Sequence, residues 1–335
     1  MPSHDIIVVG ASAGGLEAVS GFLGQLRPDL PAAIFVVIHI TPAATSVLPR
    51  ILNRVSGLRV MQASDGQVIE RGTVYVAPPN HHLLVKAGYV GVVLGPRENR
   101  HRPAIDPLFR TAARIYGARV IGIALSGSGD DGVAGLRAIH DRGGLTIAQD
   151  PADAAHPDLP RNAIEFAAID YTTPIDRLGP LVVDLVGEPA PWSPPPPSAL
   201  AKESRLAEGD LATIEDERKV GAPSAFSCPD CGGVLWEIEG GDALRFRCRV
   251  GHSYSADALA DEQDATLEKA LWAALRALEE NASLARRMAA RARGRGLATI
   301  AQRFIDRADE AQANADAIHT MVGRFGSPAH APAGD

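Results

Sequence analysis

The aliphatic run Ile6-Ile7-Val8-Val9 passes directly into Gly10-Ala11-Ser12-Ala13-Gly14-Gly15, and Leu16, Ala18, Val19, Phe22 and Leu23 follow at the spacing of one helix face. A strand with no polar alternation is covered on both sides, so a strand–turn–helix unit of this kind belongs to a parallel sheet flanked by helices. The Gly-x-Ser-x-Gly turn puts Ser12 between the strand and the helix. Small neighbours leave the hydroxyl open, and the first N–H groups of a helix offer a place for developing negative charge. Two readings stand at this point, a serine that caps the helix and a serine that acts as a nucleophile.

Further strand-type runs recur at 33–39, 72–77, 83–85, 91–94, 120–125 and 145–149, several with helical stretches between them. This βαβ alternation predicts an α/β fold, a doubly wound and mostly parallel sheet. Ligands bind such sheets beyond the carboxyl ends of the strands. There the second run ends in His39, and the run at 120–125 leads into Ser126-Gly127-Ser128-Gly129-Asp130-Asp131-Gly132, with a helical stretch from Val133 to His140. His39 alone reads as a strand-end histidine, and Asp131 alone as a helix cap or part of a phosphate-cradling loop. A serine, a histidine and an acid at one sheet edge instead supply a nucleophile, a base and an orienting carboxylate. Their order along the chain, Ser–His–Asp, differs from the protease and α/β-hydrolase orders. The first turn also lacks the Gly-x-Gly-x-x-Gly spacing of a dinucleotide site.

Six ordered segments then carry a resemblance. They are Gly10-Ala-Ser-Ala-Gly-Gly15, Val37-Ile-His-Ile40, Tyr75-Val-Ala-Pro-Pro-Asn-His-His82, Asn99-Arg-His-Arg-Pro-Ala-Ile-Asp-Pro-Leu-Phe109, Leu125-Ser-Gly-Ser-Gly-Asp-Asp-Gly132 and Leu159-Pro-Arg161. Together they resemble the catalytic domain of the chemotaxis protein-glutamate methylesterases, the CheB type, over about residues 4–187. The resemblance implies hydrolysis of glutamyl γ-methyl esters on receptor helices, and deamidation of glutamine there, through an acyl-serine. It assigns Ser12 as nucleophile, His39 as base and Asp131 as the acid that orients it, with no cofactor for catalysis. Backbone N–H groups would hold the oxyanion, with Ala13 and Ser128 as candidates and Gly14 beside them in the pocket. Members of the family often have Thr and Met where this chain has Ala13 and Ser128. The catalytic strand starts near residue 5, so the expectation is a stand-alone form without the family's receiver domain. The alternative function is a catalytically weak or inactive binding module that signals through its C-terminal region.

A proline-rich and charged linker is expected over 188–225, on the four consecutive prolines at 194–197. The chain's three cysteines all lie beyond it. Cys228-x-x-Cys231 and, after sixteen intervening residues, Cys248-x-x-x-His252 have the spacing of a Cys3His zinc ribbon, predicted over 226–255 with a structural zinc ion. From 256 to 326 two long helices are expected to form a hairpin broken at Gly294-Arg295-Gly296, followed by a tail at 327–335. Leu267, Leu271, Ala274, Leu278, Ala285 and Met288 on the first, and a stripe from Leu297 to Phe325 on the second, read as coiled-coil seams. The hairpin offers a surface for docking a partner or a second copy.

The formal net charge of −7 argues against general nucleic-acid binding, which depends on clustered Lys and Arg. No apolar run reaches membrane-span length and the N-terminus lacks a basic signal-type segment, so a cytoplasmic protein without membrane insertion is expected.

Overall fold

In the computed structural model, β1 (Ile6–Ala11) is the central strand of a sheet in the order β3-β4-β2-β1-β7-β8-β9. Its neighbours are β2 (Ala33–Ile38) on one side and β7 (Val120–Ala124) on the other, both parallel to it. The structure describes residues 3–40, 47–208, 221–238 and 244–325. Residues 209–220 of the expected linker and the expected tail at 327–335 lie outside them. Strand β3 (Arg59–Gln62) pairs with β4 (Thr73–Val76), and β8 (Leu145–Gln149) carries β9 (Tyr171–Thr173), every pairing in this sheet being parallel. Connections leave β1 first towards β2 and later return on its other side at β7, so the switch point of the sheet lies at the carboxyl end of β1, where Ser12 sits.

The pleat sorts the strand residues onto two cores. Ile7, Val9, Ile34 and Val36 face α1 (Gly15–Leu23), α2 (Leu48–Val55) and α6 (Ile175–Val186), with Phe22, Leu52 and Leu178 buried there. Ile6, Val8, Phe35 and Val37 face α3 (Ile105–Tyr116), α4 (Val133–Asp141) and α5 (Asp158–Phe166), with Phe109, Leu136 and Leu159 buried there. Burial on both faces is the physical reason that β1 and β2 read as unbroken apolar runs. The runs at 83–85 and 91–94 form β5 (His82–Val85) and β6 (Val90–Val93), an antiparallel hairpin separate from the main sheet. Residues 198–207, within the expected linker, form α7 (Ser198–Ala207), which packs on α3 and buries Glu203, Leu206 and Ala207.

The chain divides into two compact units, Met1–Leu259 and Ala260–Asp335. The first also holds a four-stranded antiparallel sheet of β10 (Gly221–Ser227), β11 (Val234–Ile238), β12 (Arg245–Cys248) and β13 (Ser253–Ser255). Its small core is Leu235, Phe246, Tyr254, Ala258, Leu259 and the two buried cysteines Cys228 and Cys248.

The second unit consists of α8 (Ala256–Gly294) beyond its first turn and α9 (Ala298–Phe325). Hydrogen bonds from Arg286 to Gln312 and from Arg307 to Asn281 tie the two helices antiparallel. On α9 the buried residues Ala301, Ala308, Ala311, Ala315 and Val322 fall on the expected stripe. On α8 the middle of the expected stripe is covered, with Ala285 buried and Leu271, Ala274 and Leu278 half-buried. Leu267 and Met288 are exposed, while Leu275, Ala282, Ala285, Ala289 and Ala292 are buried.

Candidate functional site

Ser12, His39 and Asp131 converge at the carboxyl edge of β1, β2 and β7. The turn after β1 is locked before any side chain is considered. Ser12 N–H donates to the Ser126 carbonyl at 3.0 Å and Gly15 N–H to the Ser12 carbonyl at 2.9 Å. Gly14 sits at φ 69°, a left-handed conformation natural to glycine. Gly127 lies so close that a Cβ there would be 2.9 Å from the Ser12 Cβ. Ser126 ties the turn down further, its hydroxyl donating to the Ala13 carbonyl at 2.8 Å and accepting from His156 N–H at 3.0 Å.

His39 is the first residue beyond β2, its N–H bonded to the Ala11 carbonyl. Its ring bridges the other two groups, with Nδ1 3.0 Å from Ser12 Oγ and Nε2 2.8 Å from Asp131 Oδ2. A carboxylate only accepts, so Nε2 carries the proton and the Nδ1 lone pair faces the serine hydroxyl. That tautomer can take the proton of Ser12. The imidazole of His101 stacks on His39 with centroids 3.5 Å apart and an interplanar angle of 11°. Burial and the adjacent His39 push the His101 pKa down to about 4, so it is neutral at pH 7.

Asp131 does not cap the helix that follows it. Its carboxylate accepts from the N–H groups of Ile105 at 2.6 Å and Asp106 at 3.3 Å, the first turn of α3, and from Asn99 Nδ2 at 3.1 Å. Burial alone would raise its pKa. The His39 hydrogen bond and charge and the Ile105 N–H outweigh burial and hold it down at about 2. Asp106, in contact with the same Asn99 amide at 3.2 Å, moves the other way, pushed up to about 7 by burial and by the Asp131 charge.

Among the described residues, no acceptor engages the N–H of Ala13, Gly14 or Ser128, the three positions expected around an oxyanion. Gly129, next to Ser128, has its carbonyl fixed by Asn162 Nδ2 at 3.0 Å. Sequence reading missed Asn99, Ser126 and the start of α3 as supports of the site. Nothing in their spacing tells that an α3 more than twenty residues before Asp131 hands it two N–H groups. His82 is fully buried, with Nε2 on the Pro96 carbonyl at 2.7 Å and Nδ1 accepting from Ala104 N–H, so it holds a loop and does not line the cleft.

The second cluster is Cys228, Cys231, Cys248 and His252, whose ligand atoms all lie within 4.8 Å of one another. Cys231 and Cys248 sulfurs are 3.7 Å apart, and His252 Nδ1 is 3.7 Å from Cys228 Sγ and 3.5 Å from Cys248 Sγ. A tetrahedral zinc ion with Zn–S of about 2.3 Å and Zn–N of about 2.0–2.1 Å requires S···S edges of about 3.8 Å and S···N edges of about 3.6 Å. The donor set therefore fits that ion. Gly232 N–H to the Cys228 carbonyl and Gly251 N–H to the Cys248 carbonyl close the two turns that present the donors.

A hydroxyl, an imidazole and an ionised acid hydrogen-bonded in line at the switch point of a parallel sheet are the groups that acyl transfer by a serine requires. Residues 7–182 match the family model for CheB methylesterase. A protein-glutamate methylesterase/protein-glutamine glutaminase of Anaeromyxobacter dehalogenans is 40% identical over 187 residues, 55% of this chain and 52% of that one. A putative enzyme of the same name from Leptospira interrogans is 37% identical over 184 residues and is covered over 95% of its length. The crystal structure of the Thermotoga maritima CheB methylesterase catalytic domain superposes with a TM-score of 0.53 at 34% identity, covering 54% of this chain and 98% of that one. The chain belongs to the CheB methylesterase family, and it spans about half the length of several of the curated relatives it matches.

Proposed function

We propose that this chain is a protein-glutamate methylesterase, with glutamine deamidation as a second activity, and that Ser12, His39 and Asp131 carry the reaction. The observation that supports it most is the continuous Ser12–His39–Asp131 hydrogen-bond relay inside a CheB methylesterase domain. Ser12 Oγ attacks the γ-carbonyl carbon of a methylated glutamyl side chain while its proton passes to His39 Nδ1. Negative charge collects on the carbonyl oxygen, where the unengaged N–H groups of Ala13 and Ser128 stand as donors. Collapse breaks the bond to the methoxy oxygen, which leaves as methanol with the proton from His39. Water, deprotonated by the same imidazole, then hydrolyses the acyl-serine to the glutamate carboxylate. With glutamine the leaving group is ammonia. Asp131 balances the imidazolium charge and fixes the ring.

The substrate class is a methylated glutamyl residue on a receptor-like protein helix, in the cytoplasm. No helix among the described residues is long and apolar enough to cross a membrane. A structural zinc ion on Cys228, Cys231, Cys248 and His252 would staple the small sheet without an open position for water. The exposed apolar side chains Leu267, Trp272, Leu284 and Met288 on α8 support the hairpin as a docking or self-association surface. The direct test is methanol release from a methylated receptor fragment. Ser12→Ala abolishes it and keeps the wild-type unfolding transition, whereas wild-type turnover by the variant refutes the mechanism.

A further inference from the structure

Asn99 is the junction between the Cys/His sheet and the acid of the relay. It is buried, at 7% exposure, and its backbone sits at φ 46°. Its amide nitrogen and its amide oxygen are both engaged. Nδ2 donates to Asp131 Oδ1 at 3.1 Å and to Asp106 Oδ2 at 3.2 Å, and Oδ1 accepts from the N–H of Ser255 at 2.9 Å. Ser255 is the last residue of β13 and lies three positions beyond His252. The rest of β13 grips the same segment from the other side, through Asn99 N–H to the Ser253 carbonyl at 2.7 Å and Ser253 N–H to the Arg97 carbonyl at 3.2 Å. A buried ion cluster reinforces the grip. Glu98 takes Arg110 of α3 at 2.6 Å and Arg247 of β12 at 3.3 Å. Two residues further along the same segment, His101 stacks on His39.

The two carboxylates take the NH2 group of Asn99 and the Ser255 N–H takes its oxygen, so all three contacts agree on one orientation of the amide. Rotating it by 180° about its last bond would aim its oxygen at Asp131 and Asp106 and its NH2 at a peptide N–H, a mismatch at every contact. The Ser255 N–H, with Asp131 ionised, selects one orientation. We propose that Asn99 is a positioning residue for Asp131, and that the Cys/His sheet holds it through Ser255, so that the C-terminal appendage is a working part of the esterase site. This rests on the methylesterase reading for its kinetic arm alone.

The test uses the full chain and two readouts, steady-state hydrolysis of a methylated receptor fragment and the low-field proton NMR signal of His39 Nε2–H against Asp131. Asn99→Gly keeps the left-handed backbone and removes the amide. Asn99→Asp keeps the shape and removes the donor. Both are expected to lower kcat by about 10- to 100-fold, the rate equivalent of one lost hydrogen bond to a charged group, with KM changed less than about twofold. Both are also expected to shift or broaden the His39 proton. Ser255→Pro, which removes the N–H, reproduces these effects, whereas Ser255→Ala, which keeps it, stays within about twofold of wild type. Folded Asn99→Gly and Asn99→Asp with unchanged kcat and an unchanged His39 signal overturn the proposal, whether or not Ser255→Pro folds. If wild-type hydrolysis proves independent of Ser12, the methylesterase reading falls, and the NMR arm still decides whether Asn99 positions Asp131.

Discussion

The sheet edge that carries Ser12, His39 and Asp131 and the small sheet that carries Cys228, Cys231, Cys248 and His252 are held in shape by opposite means. At the first, two apolar layers fix the strands, and the functional side chains follow from where the strands end. At the second, seven buried residues make up the core, two of them cysteines, and a metal ion on the Cys/His cluster would add cohesion that so small a core lacks. The first should therefore tolerate loss of its chemistry without loss of fold. The second should not.

The largest effect is expected at the relay. Asp131→Asn keeps the shape but favours the wrong imidazole tautomer, and kcat should fall by about 10³–10⁴-fold with little change in the unfolding transition. A simultaneous collapse of stability would show that the edge is not prearranged by its core. Next comes the join between the regions. Glu98→Ala leaves Arg110 and Arg247 buried without their shared carboxylate and should cost about 3–5 kcal/mol in urea unfolding. A cost below about 1 kcal/mol would mean that the two regions are fastened elsewhere. Stripping metal from the small sheet comes third. If zinc is bound there, removal with a chelator should lower stability by about 4 kcal/mol relative to free zinc held 1,000-fold above its Kd, and should release one equivalent. An unchanged melting curve would count against the staple.

The smallest effect concerns His101. Its folded pKa of about 4 lies below the ordinary 6.5, so between those values the unfolded chain binds more protons and stability rises with pH. His101→Gln should flatten that rise, by up to about 1.4 kcal/mol per pH unit, in unfolding curves taken from pH 4 to 6.5. Asp131, held at about 2, should add no inflection to the activity profile above pH 4.

What could be read from the chain follows the same division. β1, β2 and β7 are apolar at nearly every position because both faces are covered; Ser12 and His39 stand directly after β1 and β2, and the Asp130-Asp131 pair ends the short loop after β7. The Cys228, Cys231, Cys248 and His252 cluster shows in its spacing. The edge strands β3 and β9 do not show, since they are short, and Arg59, Gln62, Tyr171 and Thr172 face solvent. The join shows least of all. Asn99, Glu98, Glu203, Arg245, Arg247 and Ser255 are polar residues of loops, an isolated helix and strand ends, and their sequence gives no sign that they are buried against one another. The covered face of α8 was legible in its middle, at Leu271, Ala274, Leu278 and Ala285, but not at Leu267 and Met288, which are exposed.

The central claim is that Ser12 is a nucleophile activated by His39. Its most direct test is covalent labelling with a fluorophosphonate followed by peptide mapping. The account predicts one equivalent of adduct on Ser12, absent in Ser12→Ala and formed at least about 100-fold more slowly in His39→Gln. A native protein that takes up no label, or takes it up on another residue, would contradict it.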